Sequence, residues 1–550
     1  MTKILLKRIK ENWKSGLTVS LVSIPLAISL AVASNATPLA GIITAVWGGL
    51  AASIFGGSNY NVIGPTGALS GLLAAYALVY GASSLPTIAI FTGLFILVAY
   101  FFKLERYLIY FPASTLHGFT LGVAVIIILN QINYAFGLLK LPIHERFLGN
   151  VFESLKHLPE ISWVTVTCFL FFLIALFILV RLMPKIPSAI ILAPIAIALG
   201  YISTTQNFIF SIQTLESKYP DLSLSLFMFP SFRFSYALLV PAITIAIIAI
   251  LETMISARIA DGITRTKHNK RKEMLGLSFA NIASGVAGGI PATAALARTA
   301  LNIKTGCTNK ISATISSIFI ALISIVLLRF FKYIPLAAIA AMLVFVSIKM
   351  IEHEHFIRMF RIDKKNFFLS IGVAIVTVLE DPIVGILLGA TVAMLMFMER
   401  ASRGFFDITT SEEYLQESKG ESKIETLESI DHQGSNALIY TIKGQLAYIN
   451  AQSHLARFEE QKVERDTVIF NLKELYFIDH DGIEIFGEII ELLHKQGKLV
   501  LVTGVSQFVK NQLEESKTFV ELQNNGHVFT TISHALFYLL SSSQKKSSYV

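Results

Sequence analysis

A chain of 550 residues that is 54% hydrophobic and only 15% charged is too apolar for a soluble protein of ordinary composition. Its net charge of +8 does not point to a nucleic-acid partner, because Lys and Arg sit mostly in loops between apolar runs, where orientation in a bilayer accounts for them. Two cysteines, Cys168 in an apolar run and Cys307 in a short loop read as lying on the other side, give no disulfide framework.

The first apolar stretch begins near Leu17, has no small-residue cleavage site and leads directly into further apolar runs, so it reads as a first transmembrane helix rather than a removable signal. About fourteen apolar segments follow one another at roughly 17–33, 39–56, 64–80, 86–102, 114–136, 161–181, 187–204, 238–260, 273–290, 293–303, 309–328, 334–349, 365–381 and 382–400. Runs such as VTVTCFLFFLIALFILV (164–180) are long enough to cross about 30 Å of hydrocarbon at about 1.5 Å per residue. The third and tenth differ from the rest, being short or interrupted and opening on Gly and Pro.

Charge tests this count independently. Lys3, Lys7, Arg8, Lys10 and Lys14 assign the N-terminus to the cytoplasm, and every even-numbered loop should then be basic. KLERYL, RLMPK, RTKHNKRK, KTGCTNK and FIRMFRIDKK follow segments four, six, eight, ten and twelve, so the parity holds. The longer odd-numbered connections, 137–160 and 205–237, carry mixed or sparse charge. From about Glu399 the chain turns polar; 401–435 reads as a linker, and 436–545 as a small cytoplasmic domain. ALIYTIKG, QLAYIN, TVIFNL and KLVLVTG read as strands interleaved with helical AQSHLARFEEQ and IEIFGEIIELLHKQG, which is an α/β pattern.

GPTGALSG (64–71) and GGIPATAALARTALN (288–302) carry the chemistry. Pro suits a first helical turn and Gly allows close approach to the backbone, so each motif reads as a helix beginning inside the bilayer with unpaired N–H groups that favour an anion. The two occupy equivalent positions in two sets of seven, the pattern of a transporter built from inverted repeats. Close helix packing is the simpler alternative for either glycine cluster. Glu252 lies fourteen residues past Leu238, roughly 21 Å along the helix, too deep to reach either interface easily. A carboxylate in hydrocarbon marks a functional path. Ser256, four residues on, shares its face. Arg298 stands about one turn into the tenth segment, placed to meet an anion or to pair with Glu252. His353 and His355 lack the spacing of a zinc helix, so no metal is assigned. Nucleophile elbow, Walker loop and dinucleotide fingerprint are absent, so neither an enzyme nor an ATP-driven pump has support, and no cofactor is expected.

With these residues in view the chain resembles the sulfate permease (SulP) family of anion transporters along nearly its whole length. GLTVSLVSIPLAISLAVASNATP looks like that family's first span, GPTGALSG its third-span motif, ETMISARIADGITRTKHNKRKEMLG its eighth span and following loop, and GGIPATAALARTALNIKTG its tenth-span motif. The resemblance implies a polytopic α-helical membrane protein of fourteen segments in two inverted seven-segment repeats, divided into core and gate, with a cytoplasmic α/β STAS domain and homodimeric assembly. It implies an anion held by Pro65, Thr66, Gly67 and Ala68 on span three and by Ala294, Ala295, Leu296, Ala297 and Arg298 on span ten. Glu252 matches the family's cation-coupling acid, with Ser256 beside it. Leu296 stands where sodium-coupled bicarbonate members carry a hydroxyl, which favours a proton over sodium. LAGIITAVWGG (39–49) replaces the family's YGLY stretch, so sulfate leads as substrate while bicarbonate and C4-dicarboxylates stay open. A passive anion channel or a membrane sensor with the STAS domain as output is the reading from another class. Asp481, in IDHDG (478–482), replaces the phosphorylatable residue of antagonist-type STAS domains. A bacterial inner membrane is the expected location.

Overall fold

The structure is a computed structural model that describes residues 2–110, 112–138, 141–142, 144, 147–183, 188–205, 212–220, 225–228, 230, 235–380, 382–402, 404–418, 437–460 and 463–547. It divides into two units, residues 1–393 and 394–550.

The helices of the first unit are α1 (Thr2–Ala33), α2 (Pro38–Phe55), α3 (Gly67–Tyr80), α4 (Leu85–Phe101), α5 (Ala113–Asn130), α6 (Trp163–Leu182) and α7 (Ser188–Thr205), then α8 (Leu239–Thr264), α9 (Lys270–Val286), α10 (Leu296–Lys304), α11 (Ile311–Phe331), α12 (Leu336–Met350), α13 (Lys364–Leu379) and α14 (Pro382–Ser402). Each answers to one apolar segment of the sequence. Among the described residues eight helical stretches are long and apolar enough to cross a membrane, and α3, α7 and α11 supply shorter apolar helices.

The packing carries the inverted repeat. Helix α4 lies against α8 and α9, and α11 lies against α1 and α2; α5 packs on α13, and α6 on α12. Adding seven to a member of the first repeat, or subtracting seven from one of the second, converts each pair into another pair of the set. Spans one to four and eight to eleven thus form one cluster, and the α5–α13 and α6–α12 pairs another. At the α4–α9 contact a Cβ on Gly93 would lie 2.7 Å from the Ser278 carbonyl oxygen, so only glycine permits this approach. The Ser278 hydroxyl completes it by donating to Gly93 O at 2.8 Å.

Several boundaries differ from the sequence expectation. Helix α1 starts at Thr2 rather than near Leu17, because the Lys-rich leader is made largely of good helix formers that can extend a span beyond the hydrocarbon. The interrupted third and tenth segments each begin with two extended residues, β1 (Ile63–Gly64) and β2 (Thr293–Ala294). The loop that opens with IEHEHFIRMF contains a helix, His353–Ile362. Connection 137–160 contains a second, Phe147–Lys156. Parts of the expected connections and linker lie outside the described residues: 139–140, 143, 145–146, 184–187, 206–211, 221–224, 229, 231–234, 381, 403 and 419–436.

In the second unit the polar stretch read as linker supplies β3 (Phe405–Thr410) and a helix, Ser411–Ser418. Strand β3 pairs antiparallel with β4 (Ala437–Leu446), one long strand where two short ones were expected. Parallel pairing then joins β4 to β5 (Thr467–Asn471), β5 to β7 (Leu499–Thr503), β7 to β8 (Val528–Phe529), and β4 to β6 (Leu475–Ile478). All five residues of β5 are buried. Helices cover both faces of the sheet, so residues pointing either way from β5 are buried. Helix α15 (Ala451–Glu460) and helix α16 (His480–Lys495) share one face, where α16 buries Ile483, Phe486, Ile489, Ile490 and Leu493 at helical spacing and Asp479 caps it by accepting from Gly482 N at 2.9 Å. The C-terminal helix Ile532–Ser547 covers the other, its Ile532, Ala535 and Leu536 packing on Ile439, Ile469 and Leu501. Asp481 is exposed in its first turn, where the helix dipole favours a carboxylate. His454 on α15 is fully buried, its Nδ1 is 2.7 Å from the Tyr440 hydroxyl, and burial holds its pKa down to about 4.

Candidate functional site

The two interrupted segments meet. Strands β1 and β2 pair antiparallel, Ile63 opposite Ala294 and Gly64 opposite Thr293, and the Ala295 N–H donates to Val62 O at 3.2 Å. This short ladder satisfies backbone groups that would otherwise be orphaned inside a membrane protein, where irregular backbone needs a protein partner. It also sets the starts of α3 and α10 on either side of one point.

Neither start is capped by a side chain. Thr66, at the N-cap of α3, is extended (φ −131°, ψ 156°); its hydroxyl donates to Glu252 Oε2 on α8 at 3.2 Å and accepts no N–H of its own first turn. Ala295, at the N-cap of α10, has no side-chain acceptor to offer. Both first turns therefore keep unsatisfied N–H groups and the positive end of a helix dipole. Helix starts of this kind are suited to an anion.

The sequence-assigned residues divide by accessibility. Pro65, Thr66, Gly67, Ala68, Ala294 and Arg298 are buried, Ala295 and Glu252 are half-buried, and Leu296 and Ala297 are exposed. Over Gly67 lie two apolar side chains: a Cβ there would stand 3.0 Å from Ile127 Cδ1 of α5 and 3.1 Å from the Met350 sulfur of α12. The Arg298 guanidinium lies flat against β1, since a Cβ on Gly64 would come within 2.6 Å of its Nη1. Its Nη2 donates to Pro65 O at 2.5 Å. Of the two roles the sequence left open, direct anion contact and pairing with Glu252, the bond made here is neither. Arg298 ties α10 to the residue preceding the cap of α3, while remaining close enough to Glu252 for the charges to act on each other.

Ser256 is placed differently from its expected role beside Glu252. Its buried hydroxyl is 3.0 Å from Asn61 Oδ1 and 3.1 Å from Thr299 Oγ1, so it clamps α8 to the segment before β1 and to α10. The reason is rotational: residues four apart share a face only approximately, and the neighbouring acceptors lie on the Asn61 side.

A supporting shell was missed in the sequence. Glu273 Oε2 accepts from Gly57 N at 2.8 Å and Ser58 N at 2.7 Å, and its Oε1 accepts from Asn61 Nδ2 at 2.7 Å. Asn281 behaves like a strand edge, its amide accepting from Ala292 N and donating to Ala292 O, both at 2.9 Å. Thr253 Oγ1 is 2.8 Å from Thr293 Oγ1 and accepts from Ala294 N at 3.2 Å. The available signal was the polarity of α9, which buries Glu273, Ser278, Asn281 and Ser284 in a segment counted only as a span. A membrane helix with that many buried polar groups must face protein on most sides.

Fold and site together define a polytopic membrane protein of the inverted-repeat class with two half-helix starts facing one another. The chain belongs to the sulfate permease family, whose model matches residues 9–373, and a STAS domain model matches residues 428–535. It is 28% identical over 519 residues to the Bacillus subtilis (strain 168) protein named "Putative sulfate transporter YvdB", covering 94% of this chain and 95% of that one. It is 24% identical over 542 residues to the protein named "Bicarbonate transporter BicA" of Picosynechococcus sp., covering 94% and 92%. In fold it is similar to the murine Solute Carrier 26 family member A9 anion transporter in the inward-facing state, with a TM-score of 0.79 at 15% identity over 97% of this chain and 92% of that one. The transmembrane domain of a cyanobacterium bicarbonate transporter BicA superposes with a TM-score of 0.60 at 22% identity, covering 70% and 97%. The chain is thus an integral membrane protein of an anion-transporting family.

Proposed function

We propose that this protein is a proton-coupled secondary transporter of sulfate, binding the anion between the starts of α3 and α10. The observation that carries the reading is the bond from Thr66 to Glu252, which brings a titratable carboxylate to the edge of an uncapped helix start. Main-chain N–H groups of Gly67, Ala68, Leu296 and Ala297 are the intended donors, with Pro65, Ala294 and Ala295 shaping the backbone and Arg298 adding positive charge. The exposed Leu296 and Ala297 form the accessible wall.

Coupling follows from charge. An ionised Glu252 beside an arriving anion is repulsive where water is scarce, a penalty on the order of a few kcal/mol that protonation removes. Anion and proton then favour each other's binding, and linkage makes that reciprocal. Arg298 keeps the empty site near neutral. Sodium would need several oxygen ligands, and Leu296 offers none. By this reading the protein is no enzyme, works as a homodimer in a bacterial inner membrane, and keeps its N-terminus and STAS domain in the cytoplasm, where the STAS domain regulates or packs.

The test is radiolabelled sulfate uptake into proteoliposomes under an inward proton gradient, with bicarbonate and succinate as competitors. Uptake that overshoots equilibrium and vanishes when the gradient is collapsed supports the proposal. Uptake that never exceeds equilibrium identifies a passive channel, and transport of bicarbonate or succinate without sulfate moves the substrate to that anion.

A further inference from the structure

A cluster outside the anion site has the composition of a metal centre. His117 on α5, and Glu352 and His355 at the start of the helix that follows α12, each offer one ligand atom, and these atoms lie within 4.8 Å of one another. The sequence motif around His353 and His355 gave no metal reading because no second imidazole stands at zinc-helix spacing. The missing ligand comes from α5 instead. The His117 and His355 rings stack at 3.8 Å, and His117 Nδ1 is 3.4 Å from Glu352 Oε2. Two donors each about 2.0–2.1 Å from a tetrahedral zinc stand about 3.3–3.4 Å apart, so that pair is already at ligating separation.

We propose that His117, Glu352 and His355 bind one divalent transition-metal ion of the zinc type, and that the bound ion arrests transport. Two imidazoles and a carboxylate suit zinc and leave a fourth position for water; magnesium and calcium prefer all-oxygen sites. The site is open to solvent, with the Glu352 side chain 46% exposed and that of His117 23% exposed, so an ion reaches it from the side the basic loops assign to the cytoplasm. Its effect on transport follows from what the ion would join. The two side chains covering Gly67, Ile127 and Met350, belong to α5 and to the end of α12. His117 is on the same α5, and Glu352 stands two residues beyond Met350. An ion bridging them fixes both covers against the start of α3, which must be uncovered for the anion to enter or leave. The arrest rests on the anion site proposed above; the metal site itself does not.

The experiment titrates zinc chloride into the purified full-length protein, free of any polyhistidine tag, with magnesium chloride as control. One zinc per chain is expected, with affinity falling at least about 10-fold to 100-fold in His117→Ala and in His355→Ala. X-ray absorption of the zinc-loaded wild type should show two imidazole nitrogens among first-neighbour N and O atoms, a readout that does not depend on the variants folding. Absence of zinc binding, wild-type affinity in both variants, or a shell without imidazole overturns the site. In proteoliposomes, zinc on the His117 side should lower sulfate uptake at least tenfold in wild type and leave His117→Ala unaffected; uptake indifferent to bound zinc overturns the arrest. Binding and absorption need no transported anion, so a protein that moved no sulfate would still report the metal.

Discussion

The hydroxyl of Thr66 donates to Glu252 Oε2 and accepts no N–H from the helix it begins. Two things meet at this residue: α3 starts without a side-chain cap, and a carboxylate from the other repeat is held at that start. Helix start and titratable group become one site.

Removing the hydroxyl should therefore impair transport more than folding. A hydrogen bond to a charged group contributes about 1.5–3 kcal/mol, so Thr66→Val should lower kcat/KM for sulfate by about 10-fold to 100-fold. Thr66→Ser should recover most of it. Initial uptake rates in proteoliposomes decide this; equal rates for Val and wild type would leave the bond without a transport role.

Glu252→Gln keeps size and hydrogen-bonding capacity but cannot ionise. Uptake in that variant should be indifferent to an imposed proton gradient while exchange of internal for external anion persists. Uptake that still follows the gradient would place coupling elsewhere.

Gly64→Ala probes the contact between β1 and the Arg298 guanidinium. The added Cβ, 2.6 Å from Nη1, displaces a buried charged group from Pro65 O, and overpacking of this kind costs about 1–3 kcal/mol. A lower Tm and a loss of uptake are expected together, measured by thermal unfolding and by transport on the same preparation.

Ser256→Ala separates clamp from coupling. The lost bonds to Asn61 and Thr299 should lower stability by about 1–3 kcal/mol, since Asn61 Oδ1 is left buried without that donor while Thr299 Oγ1 keeps Val62 N. The dependence of uptake on the proton gradient should be unchanged. A shifted dependence with unchanged Tm would return Ser256 to the coupling site.

The second unit should lose stability in mild acid. His454 is neutral in the fold with a pKa of about 4, against 6.5 in the unfolded chain. Above pH 6.5 both states are neutral and its contribution is complete. As pH falls toward 4 the unfolded chain takes the proton first, and stability declines by up to about 3 kcal/mol before levelling off. Calorimetry of the full chain should show this in the transition of the soluble unit, and His454→Gln should flatten it.

The amino-acid sequence by itself determined the number of apolar segments, their likeness in two sets of seven, the interruption of the third and tenth, and the depth of Glu252. Each is a one-dimensional property: length, hydropathy, loop charge, and the backbone habits of Gly and Pro. TVIFNL likewise read as a strand of an α/β unit, and only the structure showed all five residues of β5 to be buried. Tertiary structure alone decided which polar group faces which. Thr66 and Glu252, Arg298 and Pro65, Ser256 and Asn61, and His117 and Glu352 are pairs that meet only because one repeat folds against the other. Side-chain direction within a helix is set by what packs around it, so spacing placed Ser256 beside Glu252 while its hydrogen-bond partners drew it to the next clamp.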